Sequence, residues 1–359
     1  MISKLRMPAE ELHAGELRAL VATDTGHRPP GWALSPRQVI TYLMGGTATD
    51  GTAITPKYVG DKRLIETAVA TLATDQALLL LGLPGTAKSW VSEHLAAAIT
   101  GDSKLVIQGT AGTDENQIRY GWNYAQLLAH GPRREALVPT PLMRAMEAGM
   151  LCRFEELSRM GSDVQDTLIT VLSEKMMPIP ELNSAVYAAR GFNIIATANN
   201  RDRGVNEMSS ALKRRFNVVV LPLPENAQQE VAIVTKRVSE MTQNLDLPVP
   251  KNVEEEVARV VSIFRELRSG VTEDGKVALK SPSGGLSSAE AIGVMVGGIS
   301  QATFFNDGRL TAEALAANMI GAVVKDPVQD RAVLGEYLET VLKKRRGFEG
   351  YYASLTELI

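Results

Sequence analysis

The sequence predicts an α/β fold: a parallel five-stranded sheet flanked by helices, followed by an all-helical C-terminal domain. Three observations predict it. Five short runs, apolar at nearly every position, lie between residues 55 and 225, as expected of strands buried on both faces. Helix-like stretches separate them, and strands that alternate with helices form parallel sheets. Beyond residue 225 the strand-like runs give way to helical periodicity.

The elements follow in order. Residues 1–50 read as an N-terminal extension and linker, with a turn-rich stretch (His27-Arg28-Pro29-Pro30-Gly31) and a short helix over 35–44. Residues 51–244 read as the α/β core. Its strands are predicted at 77–81, 105–107, 150–152, 192–196 and 218–221, and helices at 89–100 and 162–173. Residues 245–359 read as the helical domain. Helices are predicted at 225–244, 253–268, 287–302, 311–323 and 329–344, with joins marked by Pro248, Pro250, Gly270, Gly284, Gly285 and Pro327. No internal repeat is apparent.

Composition sets the class. The 359 residues are 45% hydrophobic and 22% charged, enough for a real core. A net charge of -3 gives no broad attraction to nucleic acid or anionic membrane. Cys152 stands alone, which excludes an intrachain disulfide and a Cys-rich zinc site. The apolar runs are far shorter than the ~20 residues of a spanning helix, and the acidic N-terminus does not read as a signal peptide. The expectation is a cytoplasmic protein. Cys152 falls in a buried strand and reads as packing. The four histidines (13, 27, 94 and 130) lack metal-ligand spacing and receive no role.

The strongest local signal is Gly82-Leu83-Pro84-Gly85-Thr86-Ala87-Lys88-Ser89, between an apolar run and a helix. A tight glycine-containing loop in that position turns backbone N–H groups around phosphate oxygens, and the helix adds its unpaired amides and dipole. Lys88 would reach the β- and γ-phosphates of ATP, and Ser89 would ligate Mg2+. Ala87 stands where the pattern has a second glycine, and alanine tolerates positive φ less well.

Met150-Leu151-Cys152-Arg153-Phe154-Glu155-Glu156 reads as the acidic strand that completes such a site. Glu155 would serve the metal and Glu156 would polarise the attacking water. Glu155 is one methylene longer than the usual aspartate, and Arg153 puts into the strand a charge that needs a partner. Asn199, at the end of the strand-like run that leads to Asn200, could bond the γ-phosphate or the water. The plain alternative is a pair of turn-forming asparagines. Arg214 and Arg215 precede the last strand. Either they form a basic helix end, or one of them reaches a neighbouring subunit's γ-phosphate.

Taken together, these motifs resemble the MoxR family of AAA+ ATPases from about residue 57 to residue 230. Tyr58-Val59-Gly60 resembles the family segment that lines the adenine pocket. Gly85-Thr86-Ala87-Lys88-Ser89 resembles its P-loop, in which alanine before lysine is common, and Trp90 follows within the nucleotide-binding set. Val106-Ile107-Gln108, Thr113-Asp114 and His130-Gly131-Pro132 resemble the second strand and the second-helix insertion, placed at 109–134. Glu155-Glu156-Leu157-Ser158-Arg159 resembles the Asp-Glu-Ile-Asn-Arg block. Residues 164–175 resemble the helix before the pre-sensor hairpin, placed at 176–190.

The resemblance implies a P-loop AAA+ core with a helical lid, ATP and Mg2+ as cofactors, Asn199 as sensor 1 and Arg215 as arginine finger. The sensor 2 arginine is missing. Its aligned position is Ala289, so either Lys280 took the role or sensing by the lid is weaker. The resemblance further implies a homo-oligomer, a hexameric ring, that remodels or matures partner complexes, often with a protein carrying a von Willebrand factor A domain. One alternative is a nucleic-acid motor, but residues 109–122 offer only Arg119 beside Tyr120 and Trp122, and the hairpin only Tyr187 and Arg190. The other, suggested by Arg153, Glu155 and Ala289, is a non-hydrolysing scaffold.

Overall fold

A computed structural model describes residues 5–199 and 206–359. Asn200 lies outside the described residues. The chain forms two units: residues 7–83 with 87–222, and residues 223–359 with 5–6 and 84–86.

The first unit is built on five strands: β1 (Ala77–Gly82), β2 (Val106–Gln108), β3 (Leu151–Glu155), β4 (Asn193–Asn199) and β5 (Phe216–Val220). They pair in the order β5-β1-β4-β3-β2, all parallel, so the expected five-stranded parallel sheet is present. Successive side chains of a strand point to opposite faces. In β1, Ala77 and Leu79 therefore join one apolar cluster with Met143, Phe154 and Leu168, while Leu78 and Leu80 join another with Ile65, Val91 and Leu95. Helices Lys62–Leu72 and Lys88–Thr100 cover the second face; Pro141–Ala148 and Leu168–Glu174 cover the first.

Register decides where chemistry can gather. Asn199 lies opposite Gly82 across β4 and β1, and Gln108 opposite Glu155 across β2 and β3. The carboxyl ends of β4 and β1 thus lie level, as do those of β3 and β2, and ligands bind at that end of open α/β sheets. Among the described residues three antiparallel pairs lie outside this sheet, the first joining Gly46–Thr47 to Ala53–Ile54. Tyr120–Trp122 pairs with Leu137–Pro139, and Met176–Ile179 with Ser184–Tyr187.

Two expected boundaries move. Residues 7–50, read as part of an N-terminal extension and linker, pack into the first unit. Leu20, Trp32, Leu34, Val39, Tyr42 and Leu43 are buried with Leu78, Leu80 and Val91, because the helix Pro36–Met44 has its own apolar stripe to cover. The boundary expected after residue 244 falls after 222 instead. Val234 and Val238 of the helix Ala227–Asn244 are buried with Val257 and Phe264 in the core of the second unit.

That second unit is helical: Ala227–Asn244, Val253–Ser269, Ser288–Phe305, Ala312–Val323, Gln329–Thr340 and Glu349–Leu358. Buried Glu230 accepts hydrogen bonds from Arg265 (2.9 Å), Arg268 (2.7 Å) and Ser288 Oγ (2.7 Å), which ties three helices together. Among the described residues no helix is long and apolar enough to cross a membrane.

Candidate functional site

The loop after β1 turns through Gly85 (φ +80°) and Ala87 (φ +63°) before the helix Lys88–Thr100 starts. Ala87 stands at the N-cap of that helix and offers its first turn no side-chain bond. Such a helix start favours an anion. Lys88 is buried, and its Nζ donates to the carbonyls of Gly82 (3.1 Å) and Leu83 (2.9 Å), so the ammonium is folded back over the loop. Left-handed geometry costs an L-residue about 1–2 kcal/mol. Ala87→Gly is therefore expected to raise stability by about 0.5–1 kcal/mol, net of the extra freedom it gives the unfolded chain. Ala87→Val should lower stability, since a β-branched residue is a severe outlier there. Thermal denaturation of the two variants checks both signs.

Behind the loop lies a buried polar network. Glu155 Oε1 accepts from Ser92 Oγ (2.9 Å) and Arg153 Nη2 (2.8 Å), and Oε2 accepts from Thr197 Oγ1 (2.8 Å). The Ser89 hydroxyl also acts on this carboxylate, lowering its pKa. Burial pushes the Glu155 pKa up, but the Arg153 charge and the hydroxyls of Ser89, Thr197 and Ser92 outweigh it and hold the group below the usual carboxylate value. A depressed pKa of this kind contributes stability above the unfolded pKa that is lost as pH falls through the folded value.

Arg153 has its partner, and it is Glu155. The guanidinium also donates to Ser92 Oγ (2.9 Å) and to the carbonyls of Ser103 (2.9 Å) and Ser89 (3.2 Å), which meets the needs of a buried charge. In β3, Arg153 and Glu155 share a face, and both are buried. Cys152 faces the other way and is buried, and burial pushes its thiol up, away from reactivity.

Glu156 begins the next turn in left-handed geometry (φ +56°, ψ +44°). Its amide donates to Thr197 Oγ1 (3.0 Å), and its Oε2 accepts from Asn199 Nδ2 (2.9 Å) and, at 3.4 Å, from Arg159 Nε. Asn199 Oδ1 is buried and without a hydrogen-bond partner among the described residues. Such an orphan costs about 1–3 kcal/mol, so it marks a place for a ligand or water.

The structure thus brings Ser89, Glu155, Glu156 and Asn199 into one connected set at the carboxyl ends of β1, β3 and β4. Arg215 is not part of it. Its Nε donates to Ser173 Oγ (2.9 Å) and its Nη1 to the Ala211 carbonyl (3.0 Å). The Lys57 carbonyl, just before Tyr58, Val59 and Gly60, accepts from Trp90 Nε1 (2.8 Å). Lys280 bonds to Glu336 (2.6 Å), and Ala289 lies in the first turn of Ser288–Phe305.

Ser92 and Thr197 escaped sequence reasoning, although a signal was there. Thr197 and Asn199 are two apart on a strand and Ser89 and Ser92 three apart on a helix, so each pair shares a face. The donor set suits Mg2+ and ATP. A serine hydroxyl and a carboxylate are hard oxygen ligands, and the loop supplies lysine and a helix N-terminus for phosphates.

Comparison with known proteins agrees with this geometry. Residues 77–216 match a profile described as the AAA domain (dynein-related subfamily), and residues 228–355 one described as the YehL-like AAA+ ATPase C-terminal domain. The chain is 42% identical over 353 residues to the uncharacterized protein YehL of Escherichia coli (strain K12), covering 97% of this chain and 96% of that one. It is 26% identical over 160 residues to an uncharacterized protein of Staphylococcus haemolyticus (strain JCSC1435), covering 44% of this chain and 60% of the relative. A crystal structure of NtrX from Brucella abortus superposes with a TM-score of 0.51 at 12% identity. That match covers 83% of this chain and 64% of the other, and shows likeness of fold alone.

Proposed function

This chain belongs to the YehL-like AAA+ ATPases, and on that premise we propose that it hydrolyses Mg2+-ATP as one subunit of a MoxR-like hexameric ring. The ring would act in the cytoplasm as a chaperone-like remodeller, maturing a partner complex together with a protein that carries a von Willebrand factor A domain.

The observation that carries the hydrolytic part is the Glu156–Asn199 pair beside the anchored Glu155. Glu156 accepts from Asn199 at 2.9 Å and stays partly exposed, while Glu155 is buried in a complete hydrogen-bond set. Two adjacent carboxylates in such different surroundings suit two roles. In this reading Lys88 exchanges its loop carbonyls for phosphate oxygens, Tyr58, Val59 and Gly60 flank the adenine, and Gly82, Pro84, Gly85, Thr86 and Ala87 shape the phosphate loop. Ser89 and Glu155 hold Mg2+, which when bound offsets negative charge on the β- and γ-oxygens. Glu156 and Asn199 orient water, and Arg215 acts on the neighbour's site.

Arg153 favours an enzyme over a scaffold, because it supports Glu155 rather than displacing it. A remodeller is favoured over a nucleic-acid motor by the state of Arg119, which bonds to Glu115 and to the Pro178 carbonyl. Tyr120, whose pKa is raised to about 12 by burial and by its bond to Glu181, is likewise engaged within the chain.

Lys88→Ala tests the site. It should keep the fold, because the Nζ bonds named above go to carbonyls of the loop rather than to the sheet's core, and should lose most ATP affinity in a calorimetric titration. Near-normal affinity in a folded variant overturns the assignment. Stimulation of wild-type turnover by DNA or RNA would favour the motor.

A further inference from the structure

We propose that the N-terminal segment 7–55 sets the adenine side of the site: Glu16 fixes Lys57, and Trp90 fastens the Lys57 carbonyl to the helix that follows the phosphate loop. The proposal rests on the reading of Tyr58, Val59 and Gly60 as the adenine side.

Lys57 is buried, its side chain 1% exposed. A buried ammonium must be paired. Its Nζ donates to Glu16 Oε2 (2.5 Å), to the Thr55 carbonyl (2.5 Å) and to Thr55 Oγ1 (3.0 Å), and it stands 4.7 Å from the centre of the Tyr42 ring. Glu16 lies on the helix Ala14–Thr23 and also accepts from the Thr55 amide (3.2 Å) and hydroxyl (2.8 Å). One carboxylate of the N-terminal segment therefore clamps residues 55 and 57, which lead directly into Tyr58.

Backbone contacts tighten the same point. The amides of Lys57 and Tyr58 both donate to the Leu43 carbonyl, at 2.7 and 2.9 Å. A side chain on Gly60 would come within 2.6 Å of the Tyr58 hydroxyl, so the turn is closed on itself as well.

Trp90 supplies the link to the phosphate side. It follows Ser89, and its indole N–H donates to the Lys57 carbonyl at 2.8 Å. Its ring is held in place by His94, at 4.2 Å between centres, and His94 Nδ1 lies 2.9 Å from the Tyr42 hydroxyl. Two segments more than twenty residues apart in sequence, one for the base and one for the triphosphate, are thereby held at a fixed separation. A ligand that spans both gains from that preorganisation; one that occupies only the phosphate loop does not.

That difference is the test. ATP and inorganic tripolyphosphate are titrated, with Mg2+, into the full chain and into Glu16→Gln, Trp90→Phe and the double variant. Each single change should weaken ATP binding about tenfold, the loss expected for one hydrogen bond to a charged group or a buried carbonyl. Tripolyphosphate affinity should stay at the wild-type level. The double variant should lose less than the product of the two single losses, since both act on one segment. Val59→Asp, on an exposed residue of that segment, separates the inference from the reading beneath it. If it leaves ATP affinity unchanged, the adenine reading fails and the inference falls with it. If it weakens ATP while Glu16→Gln and Trp90→Phe bind ATP normally, or lose tripolyphosphate equally, the inference alone is overturned. Should Glu16→Gln not fold, Trp90→Phe carries the test, because phenylalanine keeps the ring beside His94 and removes only the donor.

Discussion

Arg215→Ala is expected to bind ATP with near wild-type affinity and to hydrolyse it roughly 10³–10⁵-fold more slowly, the effect of removing a trans-acting arginine from a P-loop enzyme. Arg215 sits between the short helix Ser210–Lys213 and β5, away from its own chain's Glu156 network. Its bonds to Ser173 and Ala211 orient the guanidinium, and these use only part of a group with five N–H donors. A guanidinium remains charged at any working pH and can bond two phosphate oxygens at once. Arg214, exposed on the same turn, is the control, and its alanine variant should matter less. Mixing gives the sharper measurement. Arg215→Ala and Glu156→Gln subunits should each be nearly inactive alone, yet a mixed ring contains interfaces that join an intact Glu156 to a neighbour's intact Arg215. Activity should return in proportion to those interfaces. No recovery in rings shown to co-assemble would mean that Arg215 works within its own subunit or only supports the fold.

Glu156→Gln is expected to bind ATP and stall, with turnover down on the order of 10²-fold or more, as for loss of a general base. Glutamine keeps the size of the side chain and can still meet Asn199, so the ground state is little changed. What goes is the negative charge that, in the proposed mechanism, would draw the proton from water. Glu155→Gln should behave differently. It leaves buried Arg153 without its counter-charge, a change that costs about 3–5 kcal/mol when one partner of a buried pair is removed. Thermal denaturation should therefore separate the two variants before any activity is measured. Single-turnover kinetics then decide the roles. Normal turnover in Glu156→Gln together with a folded but inactive Glu155→Gln would reverse them.

The sequence by itself determined the sheet, because a strand buried on both faces must be apolar throughout, and five such runs spaced by helices leave few other arrangements. It also determined which residue types could do chemistry, since the phosphate loop, the paired acids and the strand-end asparagine are local patterns with local reasons. The tertiary structure alone decided what those residues meet. Arg153 looked like a flaw in its strand, and only the packing of β3 against the helix Lys88–Thr100 shows that it serves Glu155 and Ser92. Helical periodicity marked 227–244 as a helix but not as part of the second unit, because an apolar stripe says that a face is covered and not by what. For the same reason the sequence marks residues 1–50 as an extension and linker, while the packing of Tyr42 and Leu43 against Leu78 and Leu80 is set by the fold. His13 and His94, eighty-one residues apart in sequence, stand 5.3 Å apart between ring centres. Such long-range pairs are set by which faces the sheet and its helices bring together, and no spacing along the chain records that.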